Sequence, residues 1–332
     1  MKRKVVKISV TVIVILMSLV VIGLAYLKLA LPNVGEAPKM TIEITPEKIE
    51  HGRYLANHVM VCLDCHSQRD WSKFSGPMIL NTEGMGGEIF DQKFGFPGRY
   101  ISSNITPYNL ASWSDGEIFR ALTSGVSKNG KALFPVMPYH SFGRLDREDI
   151  EAVIAYIRTL KPVQSNPEVS ASDFPMNFII NTIPVKATLA ARPNSDNLVE
   201  YGKYMVTAAA CFDCHTRQVQ GKFVGEPFAG GMEFPLADGS LVRSTNITPH
   251  QTGIGAWDEN QFIQRFKAFA DSNYVAPTVK AGEFQTLMPW TMYAKMKESD
   301  LKAIFAYLRT LTPVDNTVER FVSSDKRMLS EN

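Results

Sequence analysis

Two short stretches hold all four cysteines of this 332-residue chain. Cys62-Leu63-Asp64-Cys65-His66 and Cys211-Phe212-Asp213-Cys214-His215 share the pattern Cys-x-x-Cys-His, the attachment signature of c-type haem. The spacing has a physical basis. Two thiols one helical turn apart reach the two vinyl groups on one porphyrin edge, and the next residue projects its imidazole under the ring to ligate iron. Cys62, Cys65, Cys211 and Cys214 are therefore expected to carry two haems c, with His66 and His215 as proximal ligands. A thioredoxin-like redox pair requires no following histidine. A zinc site would need the two pairs to converge, yet they lie 149 residues apart and each carries its own histidine. With every cysteine used in this way, no thiol remains for a disulfide.

An iron that only passes electrons usually has both axial positions filled, and Met opposite His raises its potential. Met137 lies 75 residues after Cys62, and Met288 lies 77 after Cys211. Each is followed by proline and an aromatic residue, as Met137-Pro138-Tyr139 and Met288-Pro289-Trp290. A lone methionine is more often core filling. The shared context marks Met137 and Met288 as the expected distal ligands. Bis-histidine ligation is the main rival, because His140 lies close to Met137. The second half offers only His250, whose counterpart in the first is Tyr108, so the histidines do not match while the methionines do. Met292 is the weaker candidate in the second half.

These residues belong to elements that repeat in the same order. His51-Gly52-Arg53-Tyr54 answers Tyr201-Gly202-Lys203-Tyr204, and Asn104-Ile105-Thr106-Pro107 recurs as Asn246-Ile247-Thr248-Pro249. Trp113 is matched by Trp257, and Ala155-Tyr156-Ile157-Arg158-Thr159-Leu160 by Ala306-Tyr307-Leu308-Arg309-Thr310-Leu311. The spacing is too long for a solenoid and fits a duplicated domain.

Each half reads as mostly helix. Thr45 and Pro46 suit the N-cap and first position of a helix running toward Cys62. Ser114-x-x-Glu117 and Asp258-x-x-Gln261 have capping-box form. Ile150, Val153, Ile154, Ile157 and Leu160 share one face of a last helix, as do Leu301, Ile304, Phe305, Leu308 and Leu311. Gly52 and Gly202 sit in first helices, where glycine costs about 1 kcal/mol relative to alanine. The repetition predicts a close helix crossing, with Gly52 near Tyr156 and Gly202 near Tyr307. Trp113 and Trp257 precede the capping boxes, where they can staple against Ile118 and Phe262 or reach a haem propionate. Asn104, Thr106, Asn246 and Thr248 suit either propionate binding or a fixed turn, and both readings stay open. Arg243 is read as a solvated surface residue in preference to a propionate partner.

From Ile8 to Leu27 there are 20 residues without a charge, behind Lys2, Arg3, Lys4 and Lys7. As a helix this run spans about 30 Å, enough to cross a bilayer. The basic flank would stay cytoplasmic, placing the rest outside. The run is longer than the apolar core of a cleaved signal peptide, the competing reading. With Lys28, these cations outnumber the chain's formal net charge of +2, so the remainder is weakly acidic. That excludes the basic face of a nucleic-acid binder. Between the halves, Gln164 to Asn197 holds four prolines and no helical period and reads as a connector. Its apolar piece, Phe174 to Ile180, is expected to pack against a domain. Residues after Val314 read as a polar tail.

With these motifs in place, the chain resembles the membrane-bound cytochrome c subunits of alcohol and gluconate dehydrogenases and related diheme cytochromes c. The motif series carries the resemblance over residues 48–314. It implies a mainly α fold of two tandem cytochrome c domains plus an N-terminal transmembrane helix. The expected divisions are an anchor at 1–34, domain 1 at 35–165, a connector at 166–197, and domain 2 with its tail at 198–332. It further implies an electron carrier and not an enzyme. Such a carrier would be held at the cytoplasmic membrane by a single pass, with both haems on the periplasmic side. Its partners would be respiratory redox proteins, a membrane dehydrogenase or quinol-oxidising complex upstream and an acceptor downstream. The dehydrogenase subunits typically have three haem domains, whereas this chain has two motifs. The alternative is a diheme peroxidase, or a dehydrogenase subunit with one open haem. Matched methionines and the lack of a paired acid and base beside either motif count against it.

Overall fold

Thr45 Oγ1 accepts from the Lys48 amide at 3.2 Å, and Pro46 fills the first helical position, where its missing N–H has no partner to lose. The helix therefore starts where the sequence predicts. The computed structural model describes residues 2–330. Seven of its helices have nine or more residues: α1 (Lys2–Leu29), α2 (Pro46–Tyr54), α3 (Asp115–Ser124), α4 (Arg147–Arg158), α5 (Leu198–Ala208), α6 (Glu259–Lys267) and α7 (Glu298–Leu308). Helix makes up 40% of the chain. Every strand has only two to four residues, so the fold class is helical with small sheets.

Both capping boxes form with both of their hydrogen bonds, at Ser114 and Glu117 and at Asp258 and Gln261. They set the start of α3 and α6. In the first half, α2 crosses α4. In the second, α5 crosses α7. The two glycines explain how closely. A Cβ on Gly52 would stand 1.8 Å from the Ala152 carbonyl oxygen and 3.0 Å from Tyr156 Cβ. On Gly202 it would stand 1.8 Å from the Ala303 oxygen and 3.0 Å from Tyr307 Cβ. Only glycine fits either crossing, and the predicted tyrosine neighbours are the observed ones.

Besides a two-stranded hairpin of Gln218–Val219 and Lys222–Phe223, the described residues form two three-stranded antiparallel sheets. In the first, β1 (Ile89–Phe90), β2 (Gly98–Ile101) and β3 (Ala171–Ser172) pair in order, with Phe90 opposite Tyr100 and Gly98 opposite Ser172. In the second, β4 (Glu233–Pro235), β5 (Leu241–Arg243) and β6 (Phe321–Val322) pair in order, with Phe234 opposite Val242 and Leu241 opposite Val322. This corrects two expectations. The segment after α4 is more than a connector, because it supplies β3. The segment after α7 is more than a polar tail, because it supplies β6 and a last helical turn at Ser324–Ser330. Strands of two residues carry no alternation that a sequence could reveal.

The halves pack against each other through a reciprocal pair of contacts. Tyr204 of α5 donates its hydroxyl to Asp149 of α4, and its oxygen accepts the Asp146 amide at 3.0 Å. Tyr54 of α2 donates to Asp300 of α7, and its oxygen accepts the Lys297 amide at 3.0 Å. His58 Nδ1 meets the Met292 carbonyl across the same junction at 3.1 Å. One apolar core runs through both halves, from Leu63, Ile150 and Ile154 to Met205, Met296 and Leu301. Helix α1 stands apart from it. An 18-residue window within its segment Arg3–Leu29 has a mean hydropathy of 2.9 and none of that window is buried, which is compatible with a membrane anchor.

Candidate haem sites

Each Cys-x-x-Cys-His motif begins at a left-handed residue, Val61 (φ 46°) or Ala210 (φ 51°), that turns the chain sharply out of the preceding helical segment. The turns Cys62–Cys65 and Cys211–His215 are helical, as thiols spaced to reach one porphyrin edge require. All four thiols are free. Burial pushes each of them up to about 12, the opposite of the activated thiolate a redox dithiol needs. Among the described residues, no three His, Cys, Asp or Glu side chains gather to hold a metal ion, so the two pairs do not form a zinc site.

The histidines are fixed identically. His66 Nδ1 lies 2.7 Å from the Ser103 carbonyl oxygen, and His215 Nδ1 lies 2.8 Å from that of Thr245. Donation from Nδ1 sets the tautomer and leaves the Nε2 lone pair for a metal. Burial holds both histidines below the usual value, favouring the neutral ring that ligation needs.

Those carbonyls immediately precede the Asn-Ile-Thr-Pro segments, whose role is now visible. Asn104 Oδ1 accepts from the Thr106 amide at 2.9 Å and hydroxyl at 2.7 Å, and its Nδ2 donates to the carbonyls of Val163 and Ser165. Asn246 does the same with Thr248, at 2.9 and 2.8 Å, and donates to Val314 and Thr252. The asparagine amides are thus spent on the fold, which decides for the fixed turn over propionate binding. Gly86 and Gly230 complete the clamp, each donating its amide to the motif histidine's carbonyl at 2.9 and 2.8 Å. A Cβ on either would fall within 2.7 Å of the backbone beside Asn104 or Asn246. Sequence reasoning missed this pair, although Gly86-Gly87 and Gly230-Gly231 recur at matching places.

Met137 and Met288 are half-buried, packed on the core that includes Cys62 and touches Cys211. Each carbonyl accepts the amide two residues on at 2.8 Å, from Tyr139 or Trp290. The same tight turn therefore presents both methionines. The Met288 carbonyl also accepts from Ser75 Oγ of the first half at 2.6 Å. His250 Nδ1 contacts Thr252 Oγ1 at 3.0 Å and Asp315 at 3.6 Å, and Met292 is buried in the core. His140 lies against the Tyr139 ring at 4.5 Å between centroids.

The remaining candidates are structural. Trp257 meets Phe262 at 6.5 Å between ring centroids, and Trp113 packs on the core containing Ile118. Both fit the stapling role. Arg158 donates to the Leu110 and Trp113 carbonyls and pairs with Asp115, while Arg309 donates to Gly255. Arg243, at the end of the central strand β5, pairs at 2.9 Å with Glu233 directly opposite it on β4.

Two further features escaped the sequence. Asp64, inside the first motif, forms a buried pair with Arg69 at 3.0 Å. Tyr293, fully buried, donates to the Ala209 carbonyl at 2.9 Å. Burial pushes its hydroxyl well above the usual value.

Residues 199–312, from α5 to just beyond α7, match the family model for cytochrome c. The match implies haem c. The donor set fits it: two thiols on one turn, and a histidine with Nδ1 taken and Nε2 free. Over 301 residues the chain is 27% identical to the cytochrome c subunit of a quinone-dependent alcohol dehydrogenase from Komagataeibacter europaeus, covering 84% of this chain and 59% of that one. The fructose dehydrogenase cytochrome subunit of Gluconobacter japonicus is 26% identical over 278 residues, covering 79% and 52%. A diheme cytochrome c from Cereibacter sphaeroides is 25% identical over 265 residues, covering 76% and 83%. The chain spans little more than half the length of the two dehydrogenase subunits.

Proposed function

We propose that this protein is a membrane-anchored electron carrier with two haems c, one in each half. Cys62 and Cys65 hold the first and Cys211 and Cys214 the second. His66 and His215 ligate from one side, Met137 and Met288 from the other. The observation that carries this reading is the matched histidine geometry, repeated around both motifs with the same carbonyl, the same asparagine clamp and the same glycine. Bound iron supplies a one-electron ferric/ferrous couple.

The chain's own residues set the conditions for that couple. The Ser103 and Thr245 carbonyls orient the imidazoles and increase their basicity. The methionines favour a raised potential. Residues 1–34 tether the carrier at the cytoplasmic membrane with its haems on the periplasmic side. The tether raises its effective concentration near membrane partners. Those partners are a dehydrogenase or quinol-oxidising complex as donor and a downstream respiratory acceptor.

The test is carbon monoxide binding to the reduced protein. Two six-coordinate irons leave its spectrum unchanged, while Met137→Ala and Met288→Ala each open one iron to the gas. A shift in the unaltered protein would overturn the proposal in favour of an open, catalytic haem.

A further inference from the structure

The segment between β3 and α5 contains an apolar turn that the core leaves uncovered. Phe174 is 80% exposed and Ile179 43% exposed. Both belong to or adjoin the short helix Met176–Ile179. Instead of packing on a domain, as expected, this turn sits against the end of α1. Lys28 Nζ donates to the Asn177 carbonyl at 2.6 Å and lies 4.8 Å from the centre of the Phe178 ring. Asn181 Nδ2 donates to the Leu27 carbonyl at 2.9 Å. Phe178 in turn meets Phe174 edge-on at 6.5 Å between centroids.

The place of this contact along α1 matters. The uncharged run ends at Leu27, and Lys28 is the first charge after it. In a helix that spans the hydrocarbon core, such a lysine marks the outer boundary, its stem in the apolar layer and its ammonium at the headgroups. Whatever touches Leu27 and Lys28 lies at that depth. Leu29, next in sequence, is 87% exposed. The exposed apolar side chains of Phe174, Ile179 and Leu29 therefore cluster at the level where apolar side chains enter the boundary between headgroups and acyl chains.

We propose that Phe174–Ile183 is a second membrane contact, a turn seated in the outer face of the lipid bilayer beside the end of α1. The proposal rests on the anchor reading of α1. Its consequence is orientation. A single helix leaves the domains free to swivel, whereas this turn is also tied to the first half. The Asp173 amide donates to the Pro97 carbonyl at 3.1 Å, and Gln92 Nε2 donates to the Asp173 carboxylate at 2.7 Å. Lipid, α1 and β2 are thereby linked within one short stretch. The first half then presents a constant face to membrane partners.

The test is power-saturation EPR on the full-length, haem-loaded, reduced protein in phosphatidylcholine vesicles. A nitroxide is placed in turn on Leu16→Cys, Phe174→Cys and Lys222→Cys, the last on an exposed hairpin of the second half. Collision with oxygen, which partitions into lipid, is compared with collision with a water-soluble nickel chelate. The expected result is an oxygen-to-nickel ratio several-fold higher at both Leu16 and Phe174 than at Lys222. A high ratio at Leu16 with a Phe174 ratio equal to that of Lys222 overturns the seating and spares the anchor. Equal ratios at all three positions overturn the anchor, and the seating with it.

Discussion

The Ser103 carbonyl oxygen stands 2.7 Å from His66 Nδ1, and Thr245 repeats the relationship with His215 at 2.8 Å. Neither carbonyl is free to drift, because the asparagine that follows it is held at both ends. Asn104 binds Thr106 and the chain leaving α4, and Asn246 binds Thr248 and the chain leaving α7. The chain leaving α4 or α7 thus bears on the motif histidine of its half through one side chain.

Replacing that side chain should be felt at the iron. Asn104→Ala leaves the Thr106 amide and the Val163 and Ser165 carbonyls without their partner, at a cost of about 1–3 kcal/mol. Histidine basicity falls with the loosened carbonyl, so one of the two reduction potentials should move while the other stays. Thermal melting and a redox titration check both effects. Two unmoved potentials would mean that the clamp does not orient His66.

At the helix crossings the prediction concerns size alone. Gly52→Ala and Gly202→Ala each force a Cβ onto a carbonyl oxygen and should cost about 3 kcal/mol or more. Gly23→Ala in α1 has nothing within 4 Å and should leave the melting of the domains unchanged. Calorimetry of the three variants separates crowding from any general intolerance of alanine.

Much of this was readable beforehand, and the reason differs by element. Capping boxes are local: Ser114 and Glu117 find each other within one turn, so their sequence spacing is enough. The crossings were readable because glycine works against helix propensity, and its repetition at Gly52 and Gly202 demanded a cause. Asn104 was ambiguous because its partner Val163 is distant in sequence, and an amide suits a propionate as well as a carbonyl. The matched motifs also hide something. They show Tyr54 and Tyr204 as equivalents but not that each reaches into the opposite half. The place of the turn at Phe174 is not legible, because apolar residues in a linker normally seek a core and nothing local announces the end of α1 as their neighbour.

The exchange of tyrosines across the junction gives a third prediction. Tyr54→Phe removes the hydroxyl that binds Asp300 and also accepts the Lys297 amide. A hydrogen bond to a carboxylate is worth about 1.5–3 kcal/mol, and Tyr204→Phe should cost a similar amount. Because each bond joins opposite halves, the double variant should separate a single melting transition into two. A single transition in the double variant would show that the apolar core alone couples the halves.

A pH dependence follows at the same junction. Burial pushes the Asp149 carboxyl up, but hydrogen bonds from His51 and Tyr204 and the charge of Arg192 outweigh it and hold the group below its ordinary 3.8. The unfolded chain therefore takes up this proton first as acid is added. The stabilisation is complete above about pH 4 and is lost as the pH falls below it. Urea unfolding between about pH 5 and pH 3 should show a steeper loss in the unaltered protein than in Asp149→Asn. Equal slopes would place the acid sensitivity elsewhere.

The two-haem assignment is tested most directly by the intact mass of the purified chain after denaturation and extraction with acidified solvent. Thioether linkage survives that treatment, so the mass should exceed that of the polypeptide by two haems, and by one haem in a Cys211→Ala, Cys214→Ala variant. A chain that loses all its haem, or keeps only one, would contradict the assignment of both motifs.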